Sequence, residues 1–352
     1  MKKGIVAGLV VALLLTGNAL AAGEEHTHPH PGPVANGMEG RTVPQNILNN
    51  VDVGFLVELE GFSARAGDVS ESDITLATVE LTVDADVVDG VTAHLGLLWE
   101  EDDTEENILD EGYITFGATE EIPFYATAGK MYLPFGNFES AFISDPLTLE
   151  MAEINQSAAL VGFGNSWVDL NVGAFNGDFE EGAADNTIDD VFASIEFTLS
   201  ESVVLGAYWL SDLLETDGFE DFAGVITYET IGGAGAFLNA QLGPVVLNLE
   251  YVSAIERLNP LAAGLLPSAY NVEASMPVHE KVSVGIKFEG SDDFYSEFVG
   301  TPTGKQADWQ TGFVVSYDLN EHVVLSGEYL HADGLDGDES GDMATVQVAL
   351  VL

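Results

Sequence analysis

Between residues 79 and 87 apolar and polar side chains alternate without a break. Val79, Leu81, Val83, Ala85 and Val87 interleave with Glu80, Thr82, Asp84 and Asp86. The same period of two runs through residues 91–99, 168–174 and 282–288, and through the closing "ATVQVALVL". Successive side chains of an extended strand point to opposite faces, so each stretch is a strand with one apolar and one polar face. Runs of about nine or ten residues match a tilted strand crossing a bilayer. No later segment reaches the ~18 consecutive apolar residues of a membrane helix.

Composition agrees with that picture. The formal charge is −50, yet 46% of residues are apolar. A soluble globule so charged repels itself and rarely carries so much apolar material. The two coexist when apolar side chains face lipid and acids face a wet lumen and loops. An acidic chain also repels phosphate, which excludes nucleic acid as a partner. There is no cysteine, so a disulfide scaffold is excluded.

Residues 1–21 read as a secretory signal peptide. Lys2 and Lys3 precede an apolar run from Gly4 to Leu15, and Ala19-Leu20-Ala21 offers a small-x-small cleavage pattern. Its loss removes two positive charges and leaves −50 − 2 = −52. Residues 22–50 form a His-rich, flexible N-terminal tail expected on the periplasmic side. His26, His28 and His30 in "HTHPHP" are weak metal candidates at most, because a proline-rich tail does not hold ligands rigidly.

From residue 51 to 352 the links alternate in length. "TEE" (119–121), "LGP" (242–244), "HEK" (279–281) and "NEH" (320–322) are tight polar turns, whereas 100–107, 176–187, 291–308 and 333–342 are long. Alternating short and long links predict a transmembrane antiparallel β-barrel of the porin type. Strands are expected near 51–63, 73–86, 90–100, 108–118, 122–133, 157–164, 167–176, 188–199, 202–212, 232–242, 245–255, 268–278, 282–290, 309–319, 323–332 and 343–352. That makes about sixteen, with fourteen and eighteen as alternatives, and "FAGVITYETI" (222–231) assigned to a loop. Trp99, Tyr132, Trp209, Tyr251, Trp309 and Tyr329 fall near strand ends, the headgroup level that amphipathic rings favour.

One link is unlike the others. "KMYLPFGNFESAFISDPLTLEMAE" (130–153) breaks a strand at Pro134 and Gly136, then carries Phe138, Phe142 and Leu147 among carboxylates. A loop that only floats in solvent has no use for these apolar groups. The segment near 134–156 is expected to fold inward and narrow the pore, with Lys130, Glu139, Asp145, Glu150 and Glu153 at the constriction. Lys130 faces the lumen if Tyr125, Thr127, Gly129 and Met131 form the outer row; the opposite register turns Phe124 and Ala126 outward. Alternation places Glu80, Asp84, His94, Asp169, Lys287 and Glu289 on the lumen side. The acidic link 333–342 lacks the closing Glu of an EF loop. No histidine after the tail sits in a nucleophile motif, so no enzyme and no cofactor is expected.

Residues 128–163, "AGKMYLPFGNFESAFISDPLTLEMAEINQSAALVGF", preceded by "NVDVGFLVELEG" (50–61), resemble the LbtU-family siderophore porins of bacterial outer membranes. The likeness extends from about Gly40 to the C-terminus and is marked again in "GAFLNAQLGPVVLNLEYV" (235–252). It implies passage of ferric siderophore through a barrel that has no plug domain; residues 23–50 are too few for one. Against that, an acid-lined lumen opposes anionic complexes, and the chain ends in Leu352 where such barrels commonly end in an aromatic. The alternatives are a general cation-preferring porin for small nutrients and, from another class, a structural or adhesive barrel with cation-binding acidic loops. The implied partners are outer-membrane lipid and lipopolysaccharide, the barrel-assembly machinery and the transported solute, with a homotrimer left open.

Overall fold

A computed structural model describes residues 50–67, 69–101, 107–119, 122–177, 187–222, 230–258, 264–298, 302–335 and 339–352. The expected signal peptide and the three tail histidines lie outside these residues.

Each alternating stretch is a strand. They are β1 (Val51–Ala66), β2 (Val69–Val88), β3 (Val91–Glu100), β4 (Leu109–Thr119), β5 (Ile122–Tyr132), β6 (Asn155–Asn165), β7 (Val168–Phe175), β8 (Asp190–Ser200) and β9 (Val203–Leu210). Then follow β10 (Gly233–Leu242), β11 (Val245–Ala254), β12 (Ser268–His279), β13 (Val282–Asp292), β14 (Tyr295–Phe298), β15 (Pro302–Lys305), β16 (Trp309–Asn320), β17 (Val323–Leu335) and β18 (Glu339–Val351). All but β14 and β15 join one closed antiparallel ring of sixteen strands. β1 closes it against β18, from Leu56 opposite Val351 to Ala66 opposite Gly341. Closure leaves no unpaired sheet edge in the hydrocarbon layer, where one could not be hydrated. The sixteen ring strands are those the alternation predicts. β9 pairs directly with β10, so no ring strand comes from 222–231.

The outward rows form an apolar belt. Val161, Val172, Ile286, Phe288, Phe313 and Val346 all stand exposed on the outer surface. On a water-soluble protein such a patch would drive association; on this barrel it faces lipid. The inward rows are polar, with Glu58, Glu250, Glu273, Glu289, Glu328 and Gln347 on them.

Two links differ from their expected lengths. β17 and β18 pair on through Asp333 with Ser340 and Leu335 with Glu339, so only 336–338 separate the two strands. β1 and β2 likewise pair to Ala66 opposite Val69. Gly67, at φ +55°, follows Ala66 where the β1–β2 pairing ends, and Gly334, at φ +77°, is the left-handed residue of the bulge between Asp333 and Leu335. At the other end, register shifts at Asp86/Val88, Gly117/Thr119, Thr198/Ser200, Pro277/His279 and Asp318/Asn320 adjoin the short turns. Each is an extra residue that ends pairing and sharpens local twist.

Apolar packing is concentrated inside the ring. Phe135, Leu147, Met151 and Ile154 of the β5–β6 link pack with Phe175, Phe192, Tyr208, Leu210 and Val252 of the wall. The link also holds the one α-helix of the described residues, α1 (Leu147–Ala152).

Candidate functional site

The β5–β6 link lacks regular backbone pairing, so its N–H groups need other acceptors. The wall supplies them. Glu250 on β11 accepts from the amides of Asn137 (2.9 Å) and Phe138 (2.8 Å). Glu273 on β12 accepts from Ala141 N–H (2.8 Å) and from the Ser140 hydroxyl (2.7 Å). Glu328 on β17 takes Ile143 and Ser144, at 2.6 and 3.1 Å, and Glu289 on β13 takes Leu147 at 2.8 Å. Six backbone donors thus end on four inward carboxylates. In the sixteen-strand ring β13 lies eight steps from β5, diametrically opposite. The link therefore reaches across the barrel and docks on the far wall.

Lys287 on β13 anchors the turn. Its side chain is fully buried, pairs with Glu289 at 2.7 Å, and donates to Ser144 O (3.3 Å), Ser144 Oγ (3.1 Å) and Asp145 O (3.4 Å). The ammonium also lies 4.9 Å from the centroid of the Phe142 ring. That ring packs on Val314 and Leu330, inward apolar positions of β16 and β17. Gly312 makes room, since a Cβ there would lie 3.2 Å from Phe142 Cε1. Phe138 itself sits at φ +52°, a left-handed strain for a non-glycine, and its N–H is one of those held by Glu250.

Other links brace the helix from above. Thr216 donates its hydroxyl to Met151 O (2.9 Å), Asp217 N–H reaches Glu153 O (2.9 Å), and Phe219 packs in a tilted pair with Phe294, 5.5 Å between centroids. At its root, Tyr132 O–H and Asn155 Nδ2 both donate to Asp110 Oδ1, at 3.2 and 3.0 Å.

Carboxylates of the link meet carboxylates of the near wall. Burial pushes Glu153 up to about 8, and the fields of Asp217, Asp110, Glu100 and Glu111 add to it. Burial likewise raises Glu150 to about 7, opposed only by Lys287. Asp145 is held well above the usual carboxylate range by burial, then by Glu153 and Glu150. Glu139 is part-buried, and its carbonyl accepts from Asn248 Nδ2.

On the near wall His94 bridges two acids, with Nδ1 at 2.8 Å from Asp84 and Nε2 at 3.3 Å from Glu111. Its ring stacks on Tyr113 at 4.8 Å. Asp169 takes the Tyr125 hydroxyl at 2.9 Å. Glu80 shares the inward row of β2 with Asp84. Lys287 and His94 are the basic side chains on inward rows among the described residues, and both face carboxylates.

Lys130 departs from the expected constriction. Phe124 is 62% exposed and Ala128 is exposed too, so the even-numbered row of β5 faces outward. Thr127 and Met131 are buried inside. Lys130 shares the outer row and donates to Leu109 O at 3.1 Å. Glu250, Glu273 and Glu328 are not among the residues expected at the constriction from the sequence. Their signal is a Glu at an inward position in "NLEYV", "NVEAS" and "SGEYL".

No protein-family model matches the chain. It is 24% identical over 204 residues to a UPF0422 protein of Coxiella burnetii, covering 53% of this chain and 44% of that protein. It is 23% identical over 255 residues to the UPF0422 protein lpg2959 of Legionella pneumophila, covering 62% and 48%. The chain thus spans about half the length of these curated relatives. Among solved structures it is similar to the outer-membrane channel DcaP of Acinetobacter baumannii, with TM-score 0.63, 13% identity, and 86% and 97% of the two chains covered. OprB of Pseudomonas putida gives 0.60 at 9% identity over 88% and 96%, and the anion-selective porin from Comamonas acidovorans 0.60 at 12% over 86% and 99%. At these identities the likeness is one of fold, and the fold is the sixteen-strand barrel of outer-membrane porins.

Proposed function

We propose that this barrel is a passive diffusion pore of the outer membrane that favours cations and neutral solutes, narrowed by the 134–156 segment. The observation that carries this reading is the sign of the charge on both sides of the passage. On the link Glu153 couples to Glu100, Asp110 and Glu111 on β3 and β4 and Asp145 to Glu100, while Glu150 couples to Glu289 on β13. The two inward basic groups are already matched by carboxylates. A low-dielectric wall focuses that field and raises local cation concentration.

Ferric siderophore uptake is the finer reading, supported by the sequence resemblance. The same field restricts it to neutral or cationic iron complexes. Planar bilayers carrying the purified full chain in a KCl gradient test both. A discrete conductance with K⁺ favoured over Cl⁻ is expected. No conductance would leave a structural or adhesive barrel as the better reading, and Cl⁻ preference would overturn the field argument. A neutral ferric complex should reduce the K⁺ current; its indifference would remove the siderophore and leave a general pore.

A further inference from the structure

At the short-turn end the near wall encloses a cavity of about 340 Å³ open to the lumen, within the range of small-ligand sites. We propose that it receives an organic ammonium carried on a flat apolar body. The inference rests on the pore reading and names a solute class for it.

Two independent features set the chemistry. Asp52 on β1 stands directly opposite Asp84 on β2, both lining the cavity. Like charges directly across a strand pair repel. His94 matches Asp84 and Glu111 from the other side, so one imidazole serves two carboxylates and none of it reaches Asp52. Among the described residues Asp52 has no cationic partner. A ligand cation between Asp52 and Asp84 would relieve the repulsion.

The rest of the lining is not that of a counterion site. Tyr113, Tyr125 and Tyr132 face the cavity, with Met131 and Leu160 beside them. Tyr113 is fixed by its stack on His94, 4.8 Å between centroids with planes 18° apart. Tyr125 is fixed through its hydroxyl, 2.9 Å from Asp169 and 2.7 Å from Asn171. Rings so held offer π faces to a cation and flat walls to an aromatic body, and the Met131 thioether suits a ring edge. A hydrated metal ion would gain nothing from these walls.

Phenethylammonium is the probe, with 2-phenylethanol as its neutral isostere and Mg²⁺ as a compact cation. Titration calorimetry on the full chain in detergent micelles should show saturable phenethylammonium binding, about tenfold weaker in Asp52→Asn. In bilayers the same amine should block K⁺ current, more strongly from one face. Equal binding of 2-phenylethanol would overturn the charge argument, and Mg²⁺ competing at equal concentration would reduce the site to a counterion sink. Unchanged affinity in both Asp52→Asn and Tyr113→Ala would overturn the site. A bilayer without current sinks the pore reading while calorimetry still decides the site; current without binding sinks the site alone.

Discussion

Glu250 is where the inward link is most economically tested. Its carboxylate takes Asn137 N–H and the Tyr208 hydroxyl on Oε1 (2.9 and 2.8 Å) and Phe138 N–H on Oε2 (2.8 Å). Glu250→Gln keeps the shape and offers only one acceptor oxygen. If that oxygen serves Asn137 and Tyr208, the new NH₂ meets the Phe138 N–H head on. A buried amide without an acceptor costs about 1–3 kcal/mol, and each bond that loses its charge weakens by about 1 kcal/mol. Phe138 would also lose the bond that holds its φ of +52°. A sum of about 3 kcal/mol multiplies local opening roughly a hundredfold, since 1.4 kcal/mol is tenfold.

Hydrogen exchange read by mass spectrometry on the micelle-bound barrel measures this directly. Protection of a peptide covering 134–150 should fall about a hundredfold in Glu250→Gln, while peptides from β17 and β18 stay unchanged. Glu201→Gln, on an exposed short turn, serves as the control. Unchanged protection at 134–150 would refute the claim that wall carboxylates hold the link. A uniform fall across the barrel would refute the claim that the effect is local.

Three further outcomes follow from the same geometry. Lys287→Met leaves Glu289 charged and buried, so the heat-modified gel shift should move to lower temperature by the equivalent of about 3–5 kcal/mol, and Lys287→Met with Glu289→Gln should recover most of it; no recovery would deny the pairing. Glu150 and Glu153 have folded values raised from 4.5 to about 7 and 8, so docking of the link is strongest below pH 4.5, weakens as pH rises from there, and has lost this contribution fully by about pH 8. In the folded barrel the two groups ionise around those raised values, so the K⁺/Cl⁻ permeability ratio should rise from pH 6 to 9 and flatten in Glu150→Gln/Glu153→Gln; a ratio independent of pH would take both residues out of the passage. Deleting 137–155 should raise single-channel conductance, and an unchanged conductance would mean that the segment does not narrow the pore.

The wall was legible because alternation is a local property. Val282, Val284, Ile286 and Phe288 declare an outer row whatever their neighbours do, and register follows from the short turns. The link was legible only in kind. Phe142 and Leu147 announce that it packs, but not on what, because their sockets at Val314, Leu330 and Val252 lie more than a hundred residues away. Lys130 shows the limit of parity in a strand such as 124–131, where small residues on both faces leave two registers equally apolar. Only pairing with β4 and β6 fixes which row turns outward. The long link expected at 333–342 fails for another reason: acids and glycines read as solvent-loving, yet they pair when the hairpin continues beyond the membrane.

One residue type does two jobs in this lumen, and hydrogen-bond supply sorts them. Glu250, Glu273, Glu289 and Glu328 face a crossing backbone that brings amide donors, so their charge is spent on holding the link. Glu58 and Glu80 stand on β1 and β2, beside the link's origin rather than under its crossing, and Glu111 on β4 takes only Tyr132 N–H at the link's root (3.3 Å) and the His94 ring. The split follows from topology: a link leaving β5 meets acceptors on the wall opposite it and cannot cover the wall beside it. An even scatter of glutamate along inward rows is therefore enough to give one half of the barrel an anchor and to leave the other half the acidic face on which the proposed cation preference rests, without any difference in the residues themselves.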